Sequence, residues 1–219
     1  MDLEYRFCCG APDAVLALSE TQMEQPLWNG PTVDVPPPQT IPRNVELAEH
    51  ESGHAVVAHG FGLTIEKVRI DPVGMHSLVE ASANLATGIA ISVAGPLIDA
   101  LRGGWRARTG TLDFEIVSRR VLACWAGQCD HCKAVRAAVV IAGSDQRASA
   151  FRILRRIERQ VVAFLGKPEV DAAVNDLAAA LMSAGTVSGE QAHAILSRHV
   201  LPGSFTLTMK ELENARPYS

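Results

Sequence analysis

The stretch "HESGH" at residues 50–54 constrains the fold of this chain more than any other feature of its sequence. Side chains four residues apart lie on one face of an α-helix, so a helix here would point His50 and His54 at a single cation. A proline shortly before the stretch and a glycine at position 60 are suitable start and stop signals. We therefore expect a helix over about residues 44–59.

The residue types in this motif are those of a catalytic zinc site. Neutral imidazoles suit Zn²⁺, which in catalytic sites takes a third protein ligand and leaves a position open for water. Zinc lowers the pKa of that water to about 7, and Glu51 lies beside the same helix face, where it can remove the proton. The motif thus predicts one Zn²⁺ per chain held by His50 and His54, with water as the nucleophile and Glu51 as the general base. His59 is about half a turn out of phase with His50, and we expect it to be a surface histidine at the helix end.

The motif leaves the third zinc ligand open. The long metzincin motif requires a glycine and then a histidine soon after the second histidine, where this chain has a valine and a glycine, so that class is excluded. Glu80 falls in a predicted strand, which is the wrong setting for a thermolysin-like ligand from a following helix. Asp99, Asp113 and Asp145 remain as candidates, and Asp99 is better suited to orienting a histidine.

Beyond the motif the patterning predicts a mainly α fold with a small β element. Alternation in "TIEKVRIDP" and "HSLVEAS", around a "DPVG" turn, predicts a β-hairpin with strands at about 64–70 and 76–81. Ser188 is the expected N-cap of the last helix, with Gln191 in its first turn. The predicted helices after the hairpin are 84–102, 112–125, 131–141, 145–165, 168–184 and 188–198.

Two apolar or irregular regions need a separate interpretation. The most hydrophobic stretch, residues 85–101, is shorter than the roughly 20 apolar residues of a membrane span and contains glycine, proline and aspartate, so we expect a buried core helix. Residues 1–43 are rich in proline and are expected either to form an irregular arm or to be disordered, and they lack the features of a signal peptide. The expected location is therefore the cytoplasm, with the five cysteines reduced.

Several segments, in order, resemble the zinc peptidase domain of FtsH-type membrane AAA proteases. "AEHESGHAVVA" resembles the "HEAGH" helix of that family, and "IEKVRIDPVG" resembles the strand and turn that follow it. "SVAGPLIDALRGG" is similar to the core helix, and "TGTLDFEIVSRRV" to the segment whose aspartate binds zinc. "PEVDAAVNDLAAALMSAGTVSGEQAHAIL" resembles the C-terminal helices, so the resemblance covers about residues 44–198.

The resemblance implies a helical zincin-type peptidase domain over residues 44–202, followed by a tail at 203–219. It implies that Asp113 is the third zinc ligand and that "CWAGQCDHCKAVRAAVV", about 124–140, is an insertion. The chain has no Walker A pattern and is most similar to small stand-alone bacterial and phage members without an ATPase module. The implied activity is an ATP-independent zinc metalloendopeptidase that cuts flexible or unfolded protein segments. The implied assembly is a monomer or a smaller homo-oligomer than the hexameric rings of the family.

Some features leave alternatives open. The edge around Leu78, Val79 and Glu80 is a candidate for binding an extended peptide by strand addition, or is an ordinary edge strand. "CDHC" with Cys124 has too few partners for a typical four-ligand structural zinc site, so a thiol-containing insertion is the simpler interpretation. The net charge of −4 gives no reason to expect nucleic acid, and the basic run at 152–160 is read as a solvated helix face. The competing hypothesis for the whole chain is a catalytically silent binding or regulatory module of the same fold.

Overall fold

The computed structural model describes residues 45–71, 74–79, 84–103, 114, 118 and 130–208, and two short strands near the N-terminus. For residues 71–79 and for those two strands only the backbone is described. The described part is mainly helical. Its helices are α1 (Val45–Gly60), α2 (Leu85–Gly103), α3 (Asp130–Ala142), α4 (Arg147–Leu165), α5 (Pro168–Ala184) and α6 (Gly189–Leu196).

The described strands form two antiparallel sheets. Strands β1 (Leu3–Arg6) and β2 (Val15–Leu18) pair with each other inside the segment expected to be an irregular arm. The second sheet has the order β4-β3-β5, made from β3 (Ile65–Asp71), β4 (Gly74–Val79) and β5 (Thr186–Ser188). The hairpin of β3 and β4 was predicted, whereas β5 was not, because three residues between two helices carry too little period-2 pattern to be recognised.

Helix α1 lies at the centre of the fold and is buried around most of its circumference. Every residue from Glu51 to Gly60 is buried, so the helix has no solvent face over this stretch. It packs against α2 on one side and α5 on another, and β3 and β4 also lie against it. Gly53 is needed for this packing, because a Cβ there would lie 2.8 Å from Cγ1 of Ile98 in α2. The helix that carries the motif is therefore held rigidly by its neighbours.

Helix α2 contributes a large part of the hydrophobic core. By length and composition alone, Leu85–Arg102 is the one described segment that could cross a membrane, and half of this window is buried inside the structure. The helix packs on α1, α3 and α4. Its core-facing side chains follow a helical spacing, and they are Ala86, Ile89, Ala90, Val93, Ala94, Leu97 and Ile98.

The other predicted helices are found within a few residues of their expected bounds. Helix α3 comes from the segment interpreted as part of an insertion, yet Cys132, Val135 and Val139 on one of its faces lie in the core. Ser188 caps α6 and forms a capping box with Gln191, as predicted. Of the predicted helix 112–125 only residues 114 and 118 are described, and both are helical and buried.

Candidate metal centre

The two histidines of the motif are oriented by hydrogen bonds on the side away from each other. Nδ1–H of His50 donates to Oδ2 of Asp99 in α2, at 2.7 Å. Nδ1–H of His54 donates to the backbone carbonyl of Ile91, also in α2, at 2.6 Å. Since each Nδ1 carries a proton to its partner, the Nε2 atoms are left to act as ligands. These two atoms lie 3.1 Å apart, so both lone pairs point at one place.

The carboxylate of Asp130, at the first residue of α3, completes the group. Its Oδ2 lies 3.3 Å from Nε2 of His50 and 3.3 Å from Nε2 of His54. A tetrahedral zinc ion with bonds of about 2.0–2.1 Å has ligand atoms about 3.3–3.4 Å apart. The three ligand atoms therefore form a triangle of nearly the size that one such ion requires. His50, His54 and Asp130 could hold a metal ion together.

The negative charges around the site also favour a positive charge between the ligand atoms. Burial by itself lowers the pKa of His50, but hydrogen bonds to Asp130 and Asp99, and the charges of Asp99 and Glu51, raise it to about 10. Burial would raise the pKa of Asp130, but its hydrogen bonds to His50 and His54 hold it well below its ordinary value. Without a metal ion, this raised pKa leaves a proton on Nε2 of His50, which faces the other two ligand atoms, Nε2 of His54 and Oδ2 of Asp130. A metal ion would take the place of that proton.

Gly95 in α2 provides the space in front of the two histidines. A Cβ atom at this position would lie 2.5 Å from Nε2 of His50 and 2.5 Å from Nε2 of His54. Any side chain would therefore occupy the space in front of these two nitrogen atoms. The glycine thus leaves an opening that is bounded by the same atoms a cation would bind.

Glu51 lies directly beside the ligand pair on α1. Its residue is 5% exposed, so the carboxylate is in the interior, and its negative charge contributes to the raised pKa of His50. A buried carboxylate next to a metal site is positioned to exchange a proton with a water or a substrate there. Glu51 is not in the group of three residues that could hold a metal ion, and its role as a general base stays a prediction.

The three sequence-based candidates for the third ligand have different outcomes. Asp113 lies outside the described residues, so its assignment stays a prediction. Asp145 is exposed in the turn before α4, where its carboxylate accepts a hydrogen bond from Gln146 at 3.4 Å. Asp99 bonds to Nδ1 of His50 and so takes the orienting role rather than that of a ligand. Sequence reasoning passed over Asp130, because nothing in its local sequence indicates that it meets His50, which lies 80 residues away.

The proposed peptide-binding edge is described only in part. Leu78 and Val79 belong to β4, which pairs with β3 on one side and is the outer strand of the described sheet. Their side chains and the whole of Glu80 lie outside the described residues.

Two other expectations concern residues near the motif. The prediction that His59 is a surface histidine is wrong: it is fully buried, and its ring bonds to the carbonyl of Val200 and to His193. The helical period correctly predicts that His59 points away from His50. The prediction of exposure fails because distant segments pack over this end of the helix. Cys132 is buried in the core, and Cys124 and Cys129 lie outside the described residues.

Comparison with known proteins does not identify the chain. No protein-family model matches it, and no curated protein matches its sequence. The similarity to FtsH-type peptidases therefore remains an interpretation of the motifs. What the chain does is inferred below from the geometry of the site.

Proposed function

We propose that this protein is a zinc-dependent metalloendopeptidase with a zincin-type site. The observation that carries the proposal is the convergence of Nε2 of His50, Nε2 of His54 and Oδ2 of Asp130 within 3.3 Å of one another. Glu51 stands beside them on the same helix. Two histidines at helical spacing, a carboxylate from a later helix and an adjacent glutamate are the elements of a hydrolytic zinc site.

The donor set supports zinc in particular. Imidazole nitrogens and a carboxylate oxygen are ordinary zinc ligands, and with three protein ligands a tetrahedral ion keeps one position for water or substrate. Bound Zn²⁺ would lower the pKa of its water to about 7 and polarise the carbonyl of a peptide bond. The hydrogen bonds from His50 to Asp99 and from His54 to Ile91 fix the ring orientations that such binding needs.

Glu51 carries the proton transfers of the proposed reaction. Its carboxylate accepts a proton from the attacking water and returns it to the amine of the departing peptide. Burial keeps it out of bulk solvent, so the proton is held close to the reacting bond. A site with only a structural metal has no need of this side chain, which favours an enzyme over the silent binding module.

The proposed substrate is an extended, flexible stretch of protein. Strand β4 is the outer strand of the described sheet and packs against α1, the helix that carries the ligands. An extended peptide that pairs with this edge would run alongside the motif helix. This sequence has no P-loop motif, so the substrate we propose is one that is already unfolded or mobile.

The proposal is tested by metal analysis and reconstitution. The purified full-length chain should contain one zinc per molecule and cleave casein, an unstructured protein. A chelator should abolish cleavage, and Zn²⁺ should restore it. Zinc-loaded protein that cleaves none of several unfolded substrates would reject the peptidase and favour the binding module. Stoichiometric binding of another metal, with none of zinc, would reject the choice of ion.

A further inference from the structure

A second histidine pair lies at the other end of the motif helix, away from the proposed metal. His59, near the C-terminus of α1, is fully buried, and its Nδ1 lies 3.0 Å from Nδ1 of His193 in α6. Nε2–H of His59 donates to the carbonyl of Val200 at 2.9 Å. Nε2 of His193 accepts the backbone N–H of Ile65, the first residue of β3, at 3.2 Å. The pair thus joins α1, β3, α6 and the segment after α6.

The partners fix the position of every proton in this chain of hydrogen bonds. A carbonyl only accepts, so Nε2 of His59 carries a proton, and a backbone N–H only donates, so Nε2 of His193 carries none. A neutral His193 must then hold its proton on Nδ1 and donate it to the bare Nδ1 of His59. All the bonds are satisfied when both rings are neutral.

We propose that His59 and His193 form a proton-sensitive latch, which holds α6 and residues 200–205 against α1 and β3 and opens when the pair takes up a proton. An added proton on Nδ1 of His59 would face the Nδ1–H of His193. An added proton on Nε2 of His193 would face the N–H of Ile65. Either way two donors meet and one hydrogen bond is lost in the interior.

The surrounding charges do not offset a proton on the pair. On α6, His193 itself faces His59, while Glu190 is exposed. After α6, His199 is paired with Asp176 of α5 at 2.9 Å, and Arg198 is exposed. On β3, Glu66 is exposed, and α4 places the uncharged ring of Phe164 against the end of α1. Among the described groups, only the charge of His193 acts on the pKa of His59.

The direction of the pH effect follows from the burial of His59. Burial lowers its pKa, the hydrogen bond to Val200 raises it in part, and the charge of His193 lowers it further, so the pKa lies below the ordinary 6.5. The unlatched state, with His59 in water, binds a proton at a higher pH than the latched state. The closed latch is therefore fully stable above pH 6.5 and weakens as the pH falls below that value.

The elements joined by the latch are packed closely against one another. Gly189, at the start of α6, touches the carbonyl of Ile65 so closely that no Cβ would fit. The N–H of Phe205 donates to the carbonyl of Gly60 at 2.8 Å, and its ring stacks on Phe164. Opening the latch frees the end of the helix that carries the metal ligands and the start of the central strand. This inference stands whether or not the site binds zinc.

The test is hydrogen exchange of the Ile65 amide in the full-length chain, between about pH 7.5 and 5.5, a range that spans the ordinary histidine pKa. After correction for intrinsic exchange, the protection of Ile65 should fall by up to about tenfold per pH unit below the ordinary pKa. The double variant His59→Gln/His193→Gln keeps a donor for Val200 and an acceptor for Ile65 but has no titrating ring in the pair, so it should flatten this dependence. His199→Gln, which removes a histidine of the same segment, should leave it unchanged.

Two further measurements keep the result interpretable. Acid also releases metal from histidine ligands. The exchange measurements are therefore repeated in a His54→Ala background, where the protection of the Ile65 amide should show the same pH dependence. Histidine ¹⁵N shifts of the wild type at neutral pH should show the proton on Nε2 of His59 and on Nδ1 of His193, which needs no variant to fold. Other tautomers, pH-independent protection of Ile65, or equal pH dependence in wild type and the double variant His59→Gln/His193→Gln would each overturn the latch.

Discussion

Oδ2 of Asp99 accepts a hydrogen bond from Nδ1–H of His50 at 2.7 Å. The other ring nitrogen, Nε2, points at His54 and Asp130. The bond joins α2 to α1 and holds the imidazole in the one tautomer that can bind a cation through Nε2. Asp99 is half exposed, so its role can be altered without opening the core.

Replacing Asp99 by asparagine should weaken metal binding without unfolding the protein. Loss of such an orienting carboxylate typically costs about 10–100-fold in metal affinity. Asp176→Asn is a matched control, because Asp176 is as exposed as Asp99 and bonds to a histidine, His199, at 2.9 Å. Competition titration with a zinc chelator measures both. Equal affinities for the two variants would show that Asp99 does not orient a ligand.

The identity of the third ligand is tested by three substitutions. Asp130→Asn should lower zinc affinity by more than about 100-fold, since a ligand contributes more than the groups that orient it. Asp145→Asn should leave the affinity unchanged, because its carboxylate bonds to Gln146 in an exposed turn. Asp113→Asn tests the assignment implied by the family resemblance. Full zinc occupancy in Asp130→Asn, with loss in Asp113→Asn, would move the site to Asp113.

Gly95→Ala should abolish metal binding although it removes no ligand. Its Cβ would lie 2.5 Å from Nε2 of both histidines and fill the opening between them. Gly88→Ala, on the same helix, meets no atom within 4 Å and should bind zinc normally. The control should also gain about 0.5–1 kcal/mol of stability, as glycine to alanine changes in helices do. Isothermal titration and thermal unfolding report the two effects, and wild-type zinc affinity in Gly95→Ala would refute the placement of the ion.

Local pattern predicted much of this fold. The spacing of His50 and His54, the pairing of β3 with β4 and the cap at Ser188 depend on residues close together in the sequence, and the structure places each where the sequence indicated. The orienting role of Asp99 has a different origin: it was considered because carboxylates commonly orient metal-ligating histidines, and Asp99 meets His50 across 49 residues. The histidine spacing, the hairpin and the cap are local features, so one sequence was enough to find them.

Features set by long-range packing could not be predicted in the same way. Asp130 meets His50 across 80 residues, and nothing in "QCDHCK" indicates which helix its first turn will face. His59 looked like a helix-end histidine, yet α6 and residues around Val200 cover it. Strand β5 exists because it pairs with β3, not because its three residues favour it. In each case the partner lies far away in the sequence.

The most direct test of the proposed peptidase is the Glu51→Gln variant, compared with wild type for zinc content and for casein cleavage. Glutamine keeps the size of the side chain but cannot accept the proton of the attacking water. The variant should bind one zinc per chain with unchanged affinity, because Glu51 is not among the three converging ligands. Its cleavage rate should fall by at least about 100-fold, in the range of general-base contributions. Casein cleavage at the wild-type rate by zinc-loaded Glu51→Gln would contradict the account.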